Sequence, residues 1–245
     1  PGTGNNSIPP EVKVDLVIDH NALRGETEAC RWVDVRPDYG AAASILYEYL
    51  VAQEVKIATK LATLLFYAIK SETQNLGRDW TKADREAYLE LVPLWNNRIL
   101  YEITHPKSPR AYFSYFDSGL KNARIFDNLL VFNLYRVDHP EIVAEIADFL
   151  MRVEGVNLVL GIGNYQQEGV LSLRTNSPDI KAGVLIRTIT EGLGTAGGHG
   201  MTAGGQIRPM PCEAAEQSAL EELLISRLFD ALERELPIPR PLIDP

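Results

Sequence analysis

The chain has 245 residues, and its 24 lysines and arginines against 33 aspartates and glutamates give a net charge of −9. Hydrophobic residues make up 45% and charged residues 23%, which excludes a disordered or fibrous protein. The acidic balance excludes a non-specific binder of duplex DNA, although a small basic cleft could hold a short phosphorylated ligand. Every apolar run is shorter than the roughly 18 residues that span a membrane. We therefore expect a cytoplasmic protein without a membrane partner.

The first half of the chain predicts one buried strand followed by helices. Residues 12–18 are mostly apolar and rich in β-branched side chains, which indicates a buried strand that stops at Asp19. Residues 39–52 are rich in alanine and leucine and predict a helix, and residues 57–69 are apolar nearly all round and predict a buried one. Thr81 to Asp84 resembles a capping box, and we expect its helix to run to about Leu91.

The second half alternates between strands and helices, with a boundary between Pro109 and Arg124. The predicted elements are a helix over 110–123, a strand over 125–134, a helix to about Arg152, strands over 156–165 and 170–175, and helices over 179–191 and 213–235. The four residues between the last two strands indicate a hairpin. Alternation in both halves predicts an α/β protein of two lobes.

Asp19, His20 and Asn21 follow the first predicted strand, at the kind of strand end where ligands of open α/β sheets collect. A histidine nitrogen suits Mn, Fe or Zn, and a neighbouring carboxylate can fix its tautomer. The alternative is a capping aspartate beside an exposed histidine. Glu72 follows the buried helix at a predicted turn, where the alternative is an ordinary solvated carboxylate.

The stretch from Gly192 to Gly205 is the most specific feature of the sequence. Glycines let backbone N–H groups approach an anion closely, and His199 could donate to a phosphate oxygen. The alternative is a flexible glycine-rich loop. Arg174, at the end of a predicted strand, could bind a phosphate or carboxylate, or could be an exposed charge.

In this order, these stretches resemble the DHH-family phosphoesterases, especially the group of bacterial oligoribonucleases and phosphoadenosine-phosphate phosphatases. Ile18-Asp19-His20-Asn21 resembles the Asp-His-His motif, and residues 68–73 resemble the motif Gly-Ile-x-x-Asp-Thr. Residues 171–175 and 197–205 resemble the arginine strand and Gly-Gly-His loop of the DHH-associated C-terminal domain.

The resemblance implies a parallel-sheet DHH domain, a smaller mixed-sheet C-terminal domain and a cleft between them. The implied boundaries are 1–109 for the later part of the DHH domain, 110–123 for a connecting helix, 124–236 for the substrate-binding domain and 237–245 for a tail.

The resemblance also implies a hydrolase that cleaves phosphate esters of short oligonucleotides or small nucleotides with two Mn²⁺ or similar ions. His20 and Glu72 would bind metal, His20 and Asn21 would stand in the catalytic motif, and Asp19 would support His20. The implied substrate-binding residues are Arg174, Gly197, Gly198, His199, Thr202 and Ala203.

The sequence departs from the family pattern in ways that leave three functions open. Asn21 replaces the second histidine, Glu72 replaces an aspartate, and an acidic cluster His-x-x-x-Asp-x-Asp is not found. Because the chain begins at Pro1 without methionine, we expect further ligands in residues upstream. The alternatives are a degenerate relative that binds nucleotides or anions without hydrolysis, and a pyrophosphatase or exopolyphosphatase.

Overall fold

The computed structural model describes residues 8–9, 11–23, 25–211 and 213–243, and only the backbone of Glu26, His199 and Ala214. The chain divides into two compact units, Pro1–Lys107 and Ser108–Pro245, which are described separately below. The fold is mixed α/β, as the sequence predicts. The second unit contains the mixed sheet that the resemblance implies.

The first unit pairs a small parallel sheet with a group of helices. Its elements are β1 (Leu16–Asp19), α1 (Gly25–Glu28), β2 (Trp32–Val35), α2 (Ala42–Ala52), α3 (Thr59–Glu72), α4 (Lys82–Leu91) and α5 (Asn97–Thr104). Strands β1 and β2 run parallel, with Leu16 opposite Trp32 and Asp19 opposite Val35. The predicted strand over 12–18 is thus shorter than expected, and β2 and α5 were not predicted.

The helices of the first unit share a hydrophobic core that includes Phe66, Ile69, Leu91 and Leu100. The prediction that α3 is buried all round is wrong, because Leu64 on that helix is 54% exposed. Helix α3 therefore packs through one side only, as an amphipathic surface helix does.

Asp84 joins the starts of α4 and α2. The predicted capping box is confirmed, since the Asp84 carboxylate accepts from the Thr81 backbone N–H at 2.9 Å and Thr81 caps α4. The same carboxylate accepts from the backbone N–H groups of Gly40 and Ala41 and from the Ser44 hydroxyl at the start of α2. One buried side chain thus replaces the missing hydrogen-bond partners of two helix starts.

The second unit is built on a seven-stranded sheet with the strand order β7-β8-β6-β5-β4-β3-β9. Its elements are α6 (Arg110–Lys121), β3 (Arg124–Phe126), β4 (Leu129–Arg136), α7 (Glu141–Leu150), β5 (Leu158–Tyr165), β6 (Glu168–Thr175), α8 (Ala182–Ile189), β7 (Gly194–His199), β8 (Thr202–Ile207), α9 (Ala214–Ala231) and β9 (Arg240–Pro241). Strands β4 and β5 are parallel and the other neighbours are antiparallel, which includes the predicted hairpin of β5 and β6.

Helices cover both faces of this sheet. Leu171 and Leu173 of β6 share a core with side chains of α8 and α9, while Phe132 of β4 and Val159 of β5 share the opposite core with α7. This two-sided burial explains why β4 and β5 are apolar along most of their length. Within the described ranges, no helix combines the length and apolar character needed to cross a membrane.

Two segments differ in role from the expectation. Residues 110–123 were expected to connect the lobes, but α6 packs inside the second unit, where Tyr112, Phe116 and Leu120 contact the α7 core. Residues 237–245 were expected to be a tail, but Arg240 and Pro241 pair with β3. The conformations of both segments depend on contacts with residues of the second unit that are distant in the sequence.

Candidate functional site

The carboxylate of Asp19 holds the backbone that follows β1. Its Oδ1 accepts from the backbone N–H groups of His20 at 2.7 Å and Asn21 at 3.0 Å, and from the Asn21 side-chain amide at 3.0 Å. Burial alone would raise the pKa of Asp19, but these hydrogen bonds outweigh it and lower that pKa below its usual value of 3.8. The ionised Asp19 carboxylate therefore holds the end of β1 in place. The side-chain amide of Asn21 is engaged by its hydrogen bond to Asp19.

The imidazole of His20 is oriented by a residue that sequence analysis missed. Its Nδ1 lies 3.1 Å from the backbone carbonyl oxygen of Tyr39. Because a carbonyl oxygen can only accept, Nδ1 carries the proton, and Nε2 faces away from Tyr39. The support expected from Asp19 reaches only the His20 backbone N–H, whereas the Tyr39 carbonyl holds the ring.

The carboxylate of Glu72 lies close to His20 Nε2, with a separation that leaves room for a cation between them. Glu72 is the last residue of α3, and its Oε1 lies 3.6 Å from His20 Nε2. The His20 side chain is 14% exposed and that of Glu72 is 50% exposed, so the pair is open on one side. With Nδ1 donating to Tyr39, Nε2 and Oε1 attract each other only through a proton on Nε2 or a cation held between them.

The described residues do not fit the two-ion centre that the family implies. His20 and Glu72 supply one nitrogen and one carboxylate, and hard divalent ions need more oxygen ligands than this. Nowhere in the described part of the chain do three or more histidine, cysteine, aspartate or glutamate side chains form a group that could hold a metal. The pair can supply two ligands to one ion.

The glycine-rich stretch was expected to form a loop, and this expectation is wrong for most of its length, whereas anion binding there stays a prediction. Strands β7 and β8 form an antiparallel hairpin in which Gly197 pairs with Gly204, and Gly198 with Ala203. Gly200 turns the chain between them at a φ of 50°. Many backbone groups of the stretch therefore bond to the neighbouring strand.

The two glycines of the predicted motif face different surroundings. A Cβ at position 198 would overlap the Thr202 carbonyl oxygen and lie 2.5 Å from Ala203 Cα, so the hairpin excludes any side chain there. A Cβ at position 197 would meet no atom within 4 Å among the residues that the structure describes. Packing thus requires Gly198, whereas packing within the described structure does not require Gly197.

The expected substrate-binding residues of the second unit are cross-strand neighbours. Arg174 on β6 pairs with Thr202 on β8, which in turn pairs with His199 on β7. Ala203 is opposite Leu173. The side chain of His199 lies outside the described part of the structure, so only its backbone position is established.

Arg174 is 15% exposed and is held by contacts on two sides of its guanidinium group. Its Nε donates to Asp148 Oδ1 at 2.6 Å, and its Nη1 donates to the carbonyl oxygens of Leu173 at 3.1 Å and Ala203 at 3.4 Å. Asp148 lies in the last turn of α7. Sequence analysis did not select Asp148, because 26 residues separate it from Arg174 and no local pattern joins them.

A family model agrees with the second unit. The model of the DHHA1 domain matches residues 127–227, from the turn before β4 into α9. The matched range contains Arg174, the β7–β8 hairpin and Asp148.

Two similar proteins extend the match over most of the chain. An uncharacterised protein of Methanocaldococcus jannaschii is 26% identical over 235 residues, which is 93% of this chain and 48% of that protein. The chain thus spans about half the length of the curated relative that it matches. The crystal structure of an exopolyphosphatase-related protein from Bacteroides fragilis is 12% identical and superposes with a TM-score of 0.70, covering 89% of this chain and 65% of that one. This superposition shows a shared fold. The family match shows that residues 127–227, within the second unit, are similar to the DHHA1 domain.

Proposed function

We propose that the chain is part of a metal-dependent phosphoesterase that hydrolyses phosphate esters of short oligonucleotides or small nucleotides. The first unit would supply His20 and Glu72 to a divalent ion, with Mn²⁺ as the expected metal. The second unit would hold the substrate through Arg174 and the hairpin residues Gly197, Gly198, His199, Thr202 and Ala203. Similarity to the DHHA1 domain supports the hydrolase class, and the substrate and the metal are our proposal.

The observation that carries this proposal is the placement of His20. Its Nδ1 donates to Tyr39 and its Nε2 faces Glu72 Oε1 at 3.6 Å, so two Lewis-basic atoms converge at the end of β1. A histidine fixed by a backbone carbonyl and aimed at a carboxylate is a common arrangement of metal ligands. When bound, a divalent ion polarises a phosphate and lowers the pKa of its bound water.

His20→Ala tests the metal role. We expect it to lower kcat/KM for a 5′-phosphorylated diadenylate with Mn²⁺ by on the order of 100-fold or more, since loss of an outer-sphere partner alone costs about 10- to 100-fold. The assay uses the full-length gene product. His105→Ala is the matched control, because His105 is exposed and stacks on Tyr101 in the same unit. Absence of turnover with Mn²⁺, or unchanged turnover in His20→Ala, would contradict the proposal.

Binding without hydrolysis is a second candidate function. It is favoured by the shortage of metal ligands in the described residues and by the engagement of the Asn21 amide with Asp19. It predicts that diadenylate binds without Mn²⁺ and that Arg174→Ala weakens this binding. If affinity appears only with Mn²⁺, this candidate fails.

A third candidate is a pyrophosphatase or exopolyphosphatase, the family class that the name of the Bacteroides fragilis protein suggests. Pyrophosphate and tripolyphosphate are therefore assayed beside the diadenylate. If pyrophosphate or tripolyphosphate is turned over faster than the diadenylate, this third candidate replaces the proposed nucleotide substrate.

A further inference from the structure

The guanidinium group of Arg174 has most of its donors engaged within the second unit. Of its five N–H donors, the one on Nε is bound to Asp148, and the two on Nη1 face the carbonyl oxygens of Leu173 and Ala203. No described residue accepts from Nη2. A ligand that reaches Arg174 therefore finds Nη2 as the available group.

This arrangement restricts how a ligand can bind. A bidentate phosphate or carboxylate needs two adjacent nitrogens of the guanidinium group, either Nε with Nη2 or Nη1 with Nη2. Each of these pairs includes a nitrogen that already has a partner in the protein. The geometry favours contact between Nη2 and a single oxygen of the ligand.

The hydrogen bond that Arg174 Nε donates to Asp148 is the strongest contact that positions the guanidinium group. At 2.6 Å and between charged groups, it is stronger than the contacts to Leu173 at 3.1 Å and Ala203 at 3.4 Å. Because the Asp148 side chain is 46% exposed, the ion pair adds little to folding stability. Its main effect is to select one orientation of a long side chain.

We propose that Asp148 is a positioning residue for Arg174. It holds the guanidinium group near the carbonyl groups of β6 and β8 and leaves Nη2 for one oxygen of a phosphate ester. The inference rests on the proposed function, because it assigns Asp148 a role at the substrate site of the DHHA1 domain.

Two variants of Asp148 separate positioning from competition for Arg174. Asp148→Asn keeps a carbonyl oxygen that can accept from Nε, whereas Asp148→Ala removes the acceptor. We expect Asp148→Ala to weaken binding of a hydrolysis-resistant phosphorothioate analogue of 5′-phosphorylated diadenylate, measured with Mn²⁺ present, by about tenfold, a typical cost of losing an orienting partner. We expect Asp148→Asn to stay within about threefold of the wild type. A carboxylate that merely competed with the ligand would give tighter binding in both variants.

Controls make each outcome decisive. Glu145→Ala removes a carboxylate from the same helix that accepts from Tyr112, and we expect it to bind like the wild type. The Arg174 Nε–H signal in ¹⁵N NMR should be protected from solvent exchange in the ligand-free wild type and lose that protection in Asp148→Ala. Unchanged binding or unchanged protection in Asp148→Ala would overturn the role of Asp148 alone. If the wild type does not bind, or Arg174→Ala binds equally well, the proposed substrate site fails as well.

Discussion

Asp84→Ala should destabilise the first unit by about 3 kcal/mol, because it leaves buried donors of two helix starts without an acceptor. The Asp84 side chain is fully buried and accepts from Gly40 at 2.8 Å, Ala41 at 3.2 Å, Ser44 at 2.5 Å and Thr81 at 2.9 Å. Urea unfolding followed by tryptophan fluorescence measures this loss. All three tryptophans lie in the first unit, so the signal reports on that unit.

The loss should depend on pH in a defined direction. Burial alone would raise the pKa of Asp84, but hydrogen bonds from Ser44, Thr81 and Gly40 outweigh it and lower that pKa below 3.8. A lowered pKa means that the charged carboxylate stabilises the fold above the unfolded-state pKa and that this contribution disappears as pH falls through the folded-state pKa. The difference between wild type and Asp84→Ala should therefore be full at pH 7 and shrink below about pH 4.

Glu86→Gln is the matched control for Asp84. Glu86 lies on the same helix, is 59% exposed and pairs with Lys82 at the surface. Surface pairs of this kind contribute at most about 1 kcal/mol, and we expect a change below that. Equal losses in the two variants, or a difference that grows at acidic pH, would show that Asp84 does not hold the two helix starts.

Local patterns predicted the elements whose signals lie within their own segments. The capping box at Thr81 and the hairpin of β5 and β6 are encoded by neighbouring residues, and both are present. The missed elements depend on distant partners. Strand β2 has four residues and pairs with β1. Strand β9 has two residues and forms by pairing with the edge of β3.

The sequence predicts candidate site residues but not the contacts that hold them. The sequence selected His20, Glu72 and Arg174, and their proposed roles remain to be tested. It could not show that Tyr39 orients His20 or that Asp148 holds Arg174, since 19 and 26 residues separate these pairs. The glycines were interpreted as an anion-binding loop because glycine lets backbone N–H groups approach an anion closely. The structure instead has a strand, and the absence of a side chain at Gly183 lets α8 approach β7 closely, since a Cβ at Gly183 would overlap the Gly198 carbonyl.

Gly198→Ala should destabilise the second unit by about 3 kcal/mol, near the upper end of typical overpacking costs. The new methyl group would overlap the Thr202 carbonyl oxygen and the Ala203 backbone, and a backbone ladder cannot yield as a flexible side chain can. Calorimetry should show a lower Tm, and hydrogen exchange of residues 194–207 should accelerate in the β7–β8 hairpin.

Gly197→Ala is the matched control one residue away. Its methyl group would meet no atom of the described residues within 4 Å, and alanine lowers the entropy of the unfolded chain, so stability should be unchanged or rise by up to about 1 kcal/mol. Similar losses in the two variants would mean that the hairpin tolerates no side chain at either position. If Gly197→Ala stays stable but binds diadenylate less tightly than the wild type, the open position at Gly197 serves the ligand. Gly198, by contrast, would serve the packing of β7 against β8.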